Sequence, residues 1–230
     1  MSEGLSASEV GKEISEHGKE HGEHGDRSLA VVEAVLLSAV AVLAAFSGFA
    51  AAKWSTDSSI HLAKASANRT KANRADLESI QLRTLDSVSF NAWFSAFVSG
   101  NKTGEQLAER RLRPGYRPAF NAWLATDPAH NPHAPPGPAY MPQYVIPQAA
   151  ASKRYDAAAD KAFAEGATAG ARSDEYVRDT VFLATVLFLV GISSHFSTRG
   201  TRIALLSVAL VMLAVSVVQL LGLPGPPGGL

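Results

Sequence analysis

An all-α membrane protein is the fold class this chain predicts, and two observations predict it. Three strongly apolar stretches, residues 29–52, 180–196 and 203–223, divide the sequence, and a long polar segment rich in alanine separates the first from the second. A helix rises about 1.5 Å per residue and the hydrocarbon layer is about 30 Å thick, so a crossing takes roughly 20 apolar residues. The first and third stretches meet this. The second is shorter, but Tyr176, Val177 and His195 extend it into the interfacial zones, where a ring tolerates a half-wet setting.

The tail, residues 1–28, is rich in Glu, Gly, Ser and His and is expected to be mobile or weakly helical. Glu33 lies just inside the first stretch and, with the acidic tail, argues against a cleavable secretion signal with a basic head. It reads as a carboxylate in the first helical turn that reaches water, with an ion-path role as the alternative. Within the first span, Ala30, Ala34, Ser38, Ala41, Ala45, Gly48 and Ala52 recur at alternating spacings of four and three and share one helix face. Small residues let another backbone approach closely, which is how helices associate in lipid. This packing seam meets either the other two spans, the preferred reading, or a copy of itself.

Beyond Trp54, which suits a membrane-surface anchor, no proline interrupts the chain up to Gly100, so one long helix is expected. Its early part offers Ala63, Ala65, Ala67, Ala72 and Ala75, and its later part places Leu77, Ile80, Thr84, Leu85, Val88 and Ala92 along one side. Residues 148–178 form a second alanine-rich helix running into the second span, although Gly166 and Gly170 each cost about 1 kcal/mol relative to alanine. Two such rods, facing one another with small residues, make an antiparallel hairpin, the skeleton of an extramembrane domain, residues 53–179. Its cap, residues 113–147, is dense in proline and carries Tyr116, Phe120, Trp123, Tyr140 and Tyr144. A short helix from near Pro118, ending before Asp127-Pro128, would put Phe120 and Trp123 on one face. Phe90-Asn91-Ala92-Trp93 recurs as Phe120-Asn121-Ala122-Trp123, a slight sign of duplication.

The short loop 197–202 carries Arg199 and Arg202, the pattern of cytoplasmic loops. The amino terminus would then be cytoplasmic, with the central domain and the Pro/Gly tail, residues 224–230, outside. Lys53, Lys64, Arg69, Lys71, Arg172 and Arg178 flank the membrane on the domain side, but loops longer than about 60 residues translocate largely regardless of charge.

The run from Arg111-Leu112-Arg113-Pro114-Gly115-Tyr116-Arg117-Pro118 through Ala119-Phe120-Asn121-Ala122-Trp123-Leu124-Ala125-Thr126-Asp127-Pro128 resembles the signature of a group of small bacterial membrane proteins. Asn131-Pro132-His133-Ala134-Pro135-Pro136 and Ser173-Asp174-Glu175-Tyr176-Val177 fit the same group. The resemblance covers roughly the last two thirds of the chain and implies a bacterial membrane protein with one span before the domain and two after. No activity is established for that group, so it carries over no catalytic residue. An acidic-aromatic pair commonly stands there in place of Gly115-Tyr116, so the charge pairing around Arg113 and Arg117 is expected to differ.

Zero net charge advertises no nucleic-acid partner, and the absence of cysteine removes disulfides, thiolate catalysis and cysteine metal sites. His17, His21 and His24 would align on a helical tail and share a transition metal; the preferred reading is a solvated segment, because Gly18, Gly22 and Gly25 undermine that helix. Arg110, Arg111, Arg113 and Arg117, with Tyr116 stacking beside them, are candidates for gripping an anionic lipid head group, a glycan acid or an acidic partner surface; the preferred reading is pairing with Glu105, Glu109 and Asp127 in a cap. Asp174, Glu175 and Asp179 at the mouth of the second span are expected to neutralise Arg172 and Arg178 or face water. No nucleophile-base-acid set, phosphate loop or histidine-carboxylate metal motif stands out, so neither catalysis nor a cofactor is expected.

The expected role is a non-enzymatic membrane scaffold or accessory subunit, a homo-oligomer or part of a larger membrane complex, in contact with membrane lipid. The alternative is a homo-oligomeric channel lined by the first span, with Glu33 and Ser38 facing inward. The expected location is the bacterial inner membrane.

Overall fold

The structure is a computed structural model that describes the backbone of residues 7–196 and 198–228, and side chains from residue 29 onward. Among the described residues there is no strand. The helices are α1 (Ala7–Val98), α2 (Lys102–Arg110), α3 (Arg117–Leu124), α4 (Pro147–Ser193) and α5 (Arg199–Gly222), with a 3₁₀ turn at Pro138–Tyr140.

Helix α1 is long because nothing in it breaks the hydrogen-bond ladder. It contains no proline, and between residues 29 and 98 Gly48 is its single glycine. It ends where Gly100 takes φ +68°, a left-handed conformation that a side chain disfavours. Asn101 then starts α2, its side chain accepting the Gly104 N–H at 2.9 Å. Helix α4 continues through Gly166 and Gly170 because both serve close approach. Ser58 donates to the Gly166 carbonyl at 2.7 Å, and a Cβ on Gly170 would sit 3.2 Å from the Ser58 oxygen. Helix α4 stops at Ser193, so His195 lies in the turn beyond it.

The chain divides into two compact units, one of residues 1–59 and 166–230, the other of residues 60–165. In the first, α1, α4 and α5 pack around Val40, Leu183, Val186, Val190, Leu206, Ala209 and Leu213. All three are long and apolar enough to cross a membrane. Their outward faces are apolar as well: Val42 is 70% exposed, Phe188 65%, Val211 64% and Leu221 82%. In water such a surface would aggregate; in hydrocarbon it is the solvated side, and helical ladders leave no backbone group unpaired there. This is an all-α membrane protein.

In the second unit, residues 60–98 of α1 run antiparallel to residues 147–165 of α4. Arg69 bridges Asp156 and Asp160, and His61 approaches Glu165 at 3.0 Å. The packed face of α1 is Ala65, Ala72, Ala75, Ser79, Asp86 and Trp93, a seam of small and polar residues, with Ala159 and Ala162 facing it from α4. The small faces expected to meet do so through Ala65, Ala72 and Ala75, whereas Ala63 and Ala67 are exposed, and the apolar stripe points the other way: Leu77 is 60% exposed, Ile80 50%, Leu85 52% and Val88 61%. Close helix approach selects small side chains, and leucine at those positions would hold the rods apart.

The cap closes on an aromatic core of Trp93, Leu112, Tyr116, Phe120 and Trp123, to which Phe90, Phe97 and Tyr144 add. Both copies of the repeated tetrapeptide meet here. Phe90 of the first contacts Trp123 of the second edge-on at 5.1 Å, and Trp93 contacts Phe120 edge-on at 4.9 Å. The echo is a reciprocal packing device. Each such pair contributes about 0.5–1.5 kcal/mol beyond the area it buries. The Trp123 indole N–H donates to the Pro135 carbonyl at 2.7 Å and pins the proline-rich loop to α3.

Candidate functional site

The predicted seam of α1 lies on the outside of its own bundle. Ala30, Ala34, Ser38, Ala41, Ala45, Gly48 and Ala52 are all exposed, and a Cβ added at Gly48 would meet nothing within 4 Å. The preference for an intramolecular partner is therefore corrected. Inside the protomer, α1 uses the opposite face, Glu33, Val40, Ser47 and Ala50, which holds the larger and polar side chains that α4 and α5 can satisfy. Along the exposed face an open apolar groove of about 780 Å³ runs over Val31, Ala34, Val35, Ser38 and Val42.

Glu33 does not reach water. Arg202 grips it with two bonds of 2.7 Å, Nε to Oε1 and Nη2 to Oε2, and the Ser193 hydroxyl donates to Oε1 at 2.9 Å. Residues from α1, α4 and α5 are thus tied at one end of the bundle. Glu33 and Ser38 are also not on a common lining face. Five residues turn a helix by about 140°, so one is buried while the other is exposed. The pairing further means that Arg202 is neutralised by Glu33, leaving Arg199 as the exposed arginine of the turn.

The arginine cluster splits by role. Arg113 pairs with the buried Asp86 through Nε at 3.1 Å and Nη2 at 2.7 Å, and the Tyr144 hydroxyl donates to the same carboxylate at 3.2 Å. The Asp86 carboxylate holds the Arg113 guanidinium above its ordinary pKa. Burial, with Asp86 adding, pushes the Tyr116 and Tyr144 phenols upward. Tyr116 is 2% exposed, so it is a core residue and does not stack beside a ligand. Arg117 donates to the Leu112 and Arg110 carbonyls and holds the chain reversal before α3. Arg110 and Arg111 stay exposed. Two of the three expected acidic partners are engaged elsewhere, Glu105 with Lys102 at 3.0 Å and Asp127 with His130 at 2.9 Å.

At the mouth of the second span, Asp174 is exposed and Glu175 lies 4.0 Å from Arg172, as a solvated face would have it. Asp179 departs from that pattern. It is 1% exposed and turned into the bundle, where the Ser47 hydroxyl lies 3.4 Å from one of its oxygens. The side chains of His17, His21 and His24 lie outside the described residues. Among those described, no group of three or more His, Cys, Asp or Glu gathers.

No protein-family model, no curated protein and no solved structure matches this chain. What the chain offers is therefore its own geometry: an outward face of α1 that is small and apolar in one unit and leucine-, isoleucine- and valine-rich in the other. Sequence reasoning missed Asp86, and it expected Asp179, which is buried, to neutralise an arginine or face water. The signal for Asp86 was a seven-residue recurrence of buried positions, Ala65, Ala72, Ser79, Asp86 and Trp93, which a search for apolar stripes passes over.

Proposed function

We propose that the protein is a non-enzymatic membrane scaffold or accessory subunit that associates with copies of itself through the outward face of α1. The observation that carries this is the seam: seven small residues at helical spacing, every one turned away from the protomer's own helices. In lipid, association relies on close backbone approach rather than hydrophobic drive, and a smooth strip with a groove beside it provides that. The exposed Leu77, Ile80, Leu85 and Val88 give the extramembrane unit an apolar surface of its own for the same helix to use. The resemblance to small bacterial membrane proteins supports an inner-membrane location. The exposed Arg199 of the turn supports a cytoplasmic amino terminus and an extracytoplasmic central domain. On this reading Arg110 and Arg111 are the exposed cations left to meet an acidic partner or lipid head group.

The test is the mass of the intact chain in nanodiscs. The parent should carry more than one copy, and Ala41→Leu with Gly48→Leu should lower the copy number while the protomer stays folded, since both positions face open space. A single copy at every concentration refutes the reading. Ion flux in liposomes that survives these two substitutions but tracks Glu33→Gln would favour a channel instead.

A further inference from the structure

Inside the membrane bundle, oxygen atoms from three helices face one another with too few protons among them. Asp179 on α4 is 1% exposed, and among the described residues its Oδ1 has no hydrogen-bond partner. Its other oxygen is approached by the Ser47 hydroxyl of α1 at 3.4 Å, a long contact, because Ser47 directs its proton to the Tyr176 carbonyl at 2.9 Å. The Ser216 hydroxyl of α5, itself 1% exposed, sits beside the same carboxyl without a hydrogen bond of proper geometry. One turn along α5, the Gln219 Oε1 is buried and unpartnered. Native interiors rarely leave such groups unsatisfied, and those that remain point to an ion, a water or a functional charge.

We propose that Asp179, Ser47, Ser216 and Gln219 form a binding site for a monovalent cation of sodium size. Hard oxygen donors of carboxylate, hydroxyl and amide type suit alkali and alkaline-earth ions. A single carboxylate neutralises one positive charge; a divalent ion would leave a net charge in a low-dielectric bundle, which is costly. A proton on Asp179 satisfies one of these oxygens and a water has two protons to give, whereas a cation draws on several oxygen lone pairs at once. Because the donors come from α1, α4 and α5, bound ion would lock the three helices together.

The experiment is thermal unfolding of the full chain in detergent, at fixed ionic strength, with sodium chloride replaced stepwise by choline chloride. The midpoint should rise saturably by several degrees with sodium, less with potassium, and the dependence should vanish in Asp179→Asn. Should that variant not fold, Ser216→Ala and Gln219→Leu serve in its place, each weakening the sodium dependence by tenfold or more in midpoint concentration. Equal midpoints in sodium and choline overturn the proposal. So does a midpoint that follows pH alone, which would make Asp179 a protonated carboxyl, or a sodium dependence unchanged in the variants. None of these outcomes depends on copy number, so the site and the self-association stand or fall separately.

Discussion

Removing the Arg113 guanidinium should destabilise the cap by leaving Asp86 buried with its charge uncompensated. The Asp86 side chain is 2% exposed and Arg113 20% exposed, and they share two hydrogen bonds of 3.1 and 2.7 Å. Deleting one member of a buried pair costs about 3–5 kcal/mol, because the remaining charge is stranded away from water. Tyr144 would still donate to Asp86, and the partly exposed arginine site would admit water, so the low end applies, about 3 kcal/mol. The unit spanning residues 60–165 is of a size at which 1 kcal/mol moves the midpoint by about 4 °C, so Arg113→Ala should lower it by about 12 °C. Near-ultraviolet circular dichroism reads this directly, because Trp93 and Trp123 both sit in the cap core. Adding Asp86→Asn should recover at least about 1 kcal/mol, since it removes the stranded charge, and Arg111→Ala, at an exposed position, should change little. A midpoint for Arg113→Ala within about 2 °C of the parent, or no recovery in the double variant, refutes the reasoning.

Glu33→Gln should destabilise the membrane bundle by weakening the two charge-assisted bonds from Arg202, and Arg202→Met should cost less in the Glu33→Gln background than in the parent, as thermal unfolding in detergent will show. Alkaline pH should unfold the cap. With the folded Tyr116 and Tyr144 pKa values raised above 10.0, their contribution is fully present below pH 10 and fades by about 1.4 kcal/mol per unit for each as pH rises above it. Tyrosinate absorbance should then show these two titrating only with unfolding. Leu77→Glu with Val88→Glu, on the exposed stripe of α1, should reduce self-association measured by light scattering while leaving the unfolding midpoint within about 1 °C.

The sequence by itself determined the long helices and several of their ends, but it did not show α2, it expected the tail that α1 includes from Ala7 to be mobile or weakly helical, and it carried the second span past Ser193. Runs without proline, the Gly100 break, the Pro118 start of the cap helix and three stretches long enough to cross hydrocarbon are local facts, settled by backbone sterics and by the solvent each segment must face. It also showed that Phe120 and Trp123 share a face, because spacing within one helix fixes direction. Which face of a helix is covered was a different question. A helix such as α1 carries two usable faces, and although its small residues pointed to the face where the rods meet, spacing did not say which of them would be covered: Ala65, Ala72 and Ala75 are, Ala63 and Ala67 are not. Only the tertiary structure decided that Ala65, Ala72, Ser79 and Asp86 pack while Leu77 and Val88 do not, and that the Ala30 to Ala52 strip looks outward. The physical reason is that partners distant in sequence supply the decisive contacts: Arg202 for Glu33, Arg113 for Asp86, Ser47 for Asp179. A charge becomes compatible with burial when such a partner arrives, and no local pattern announces the arrival.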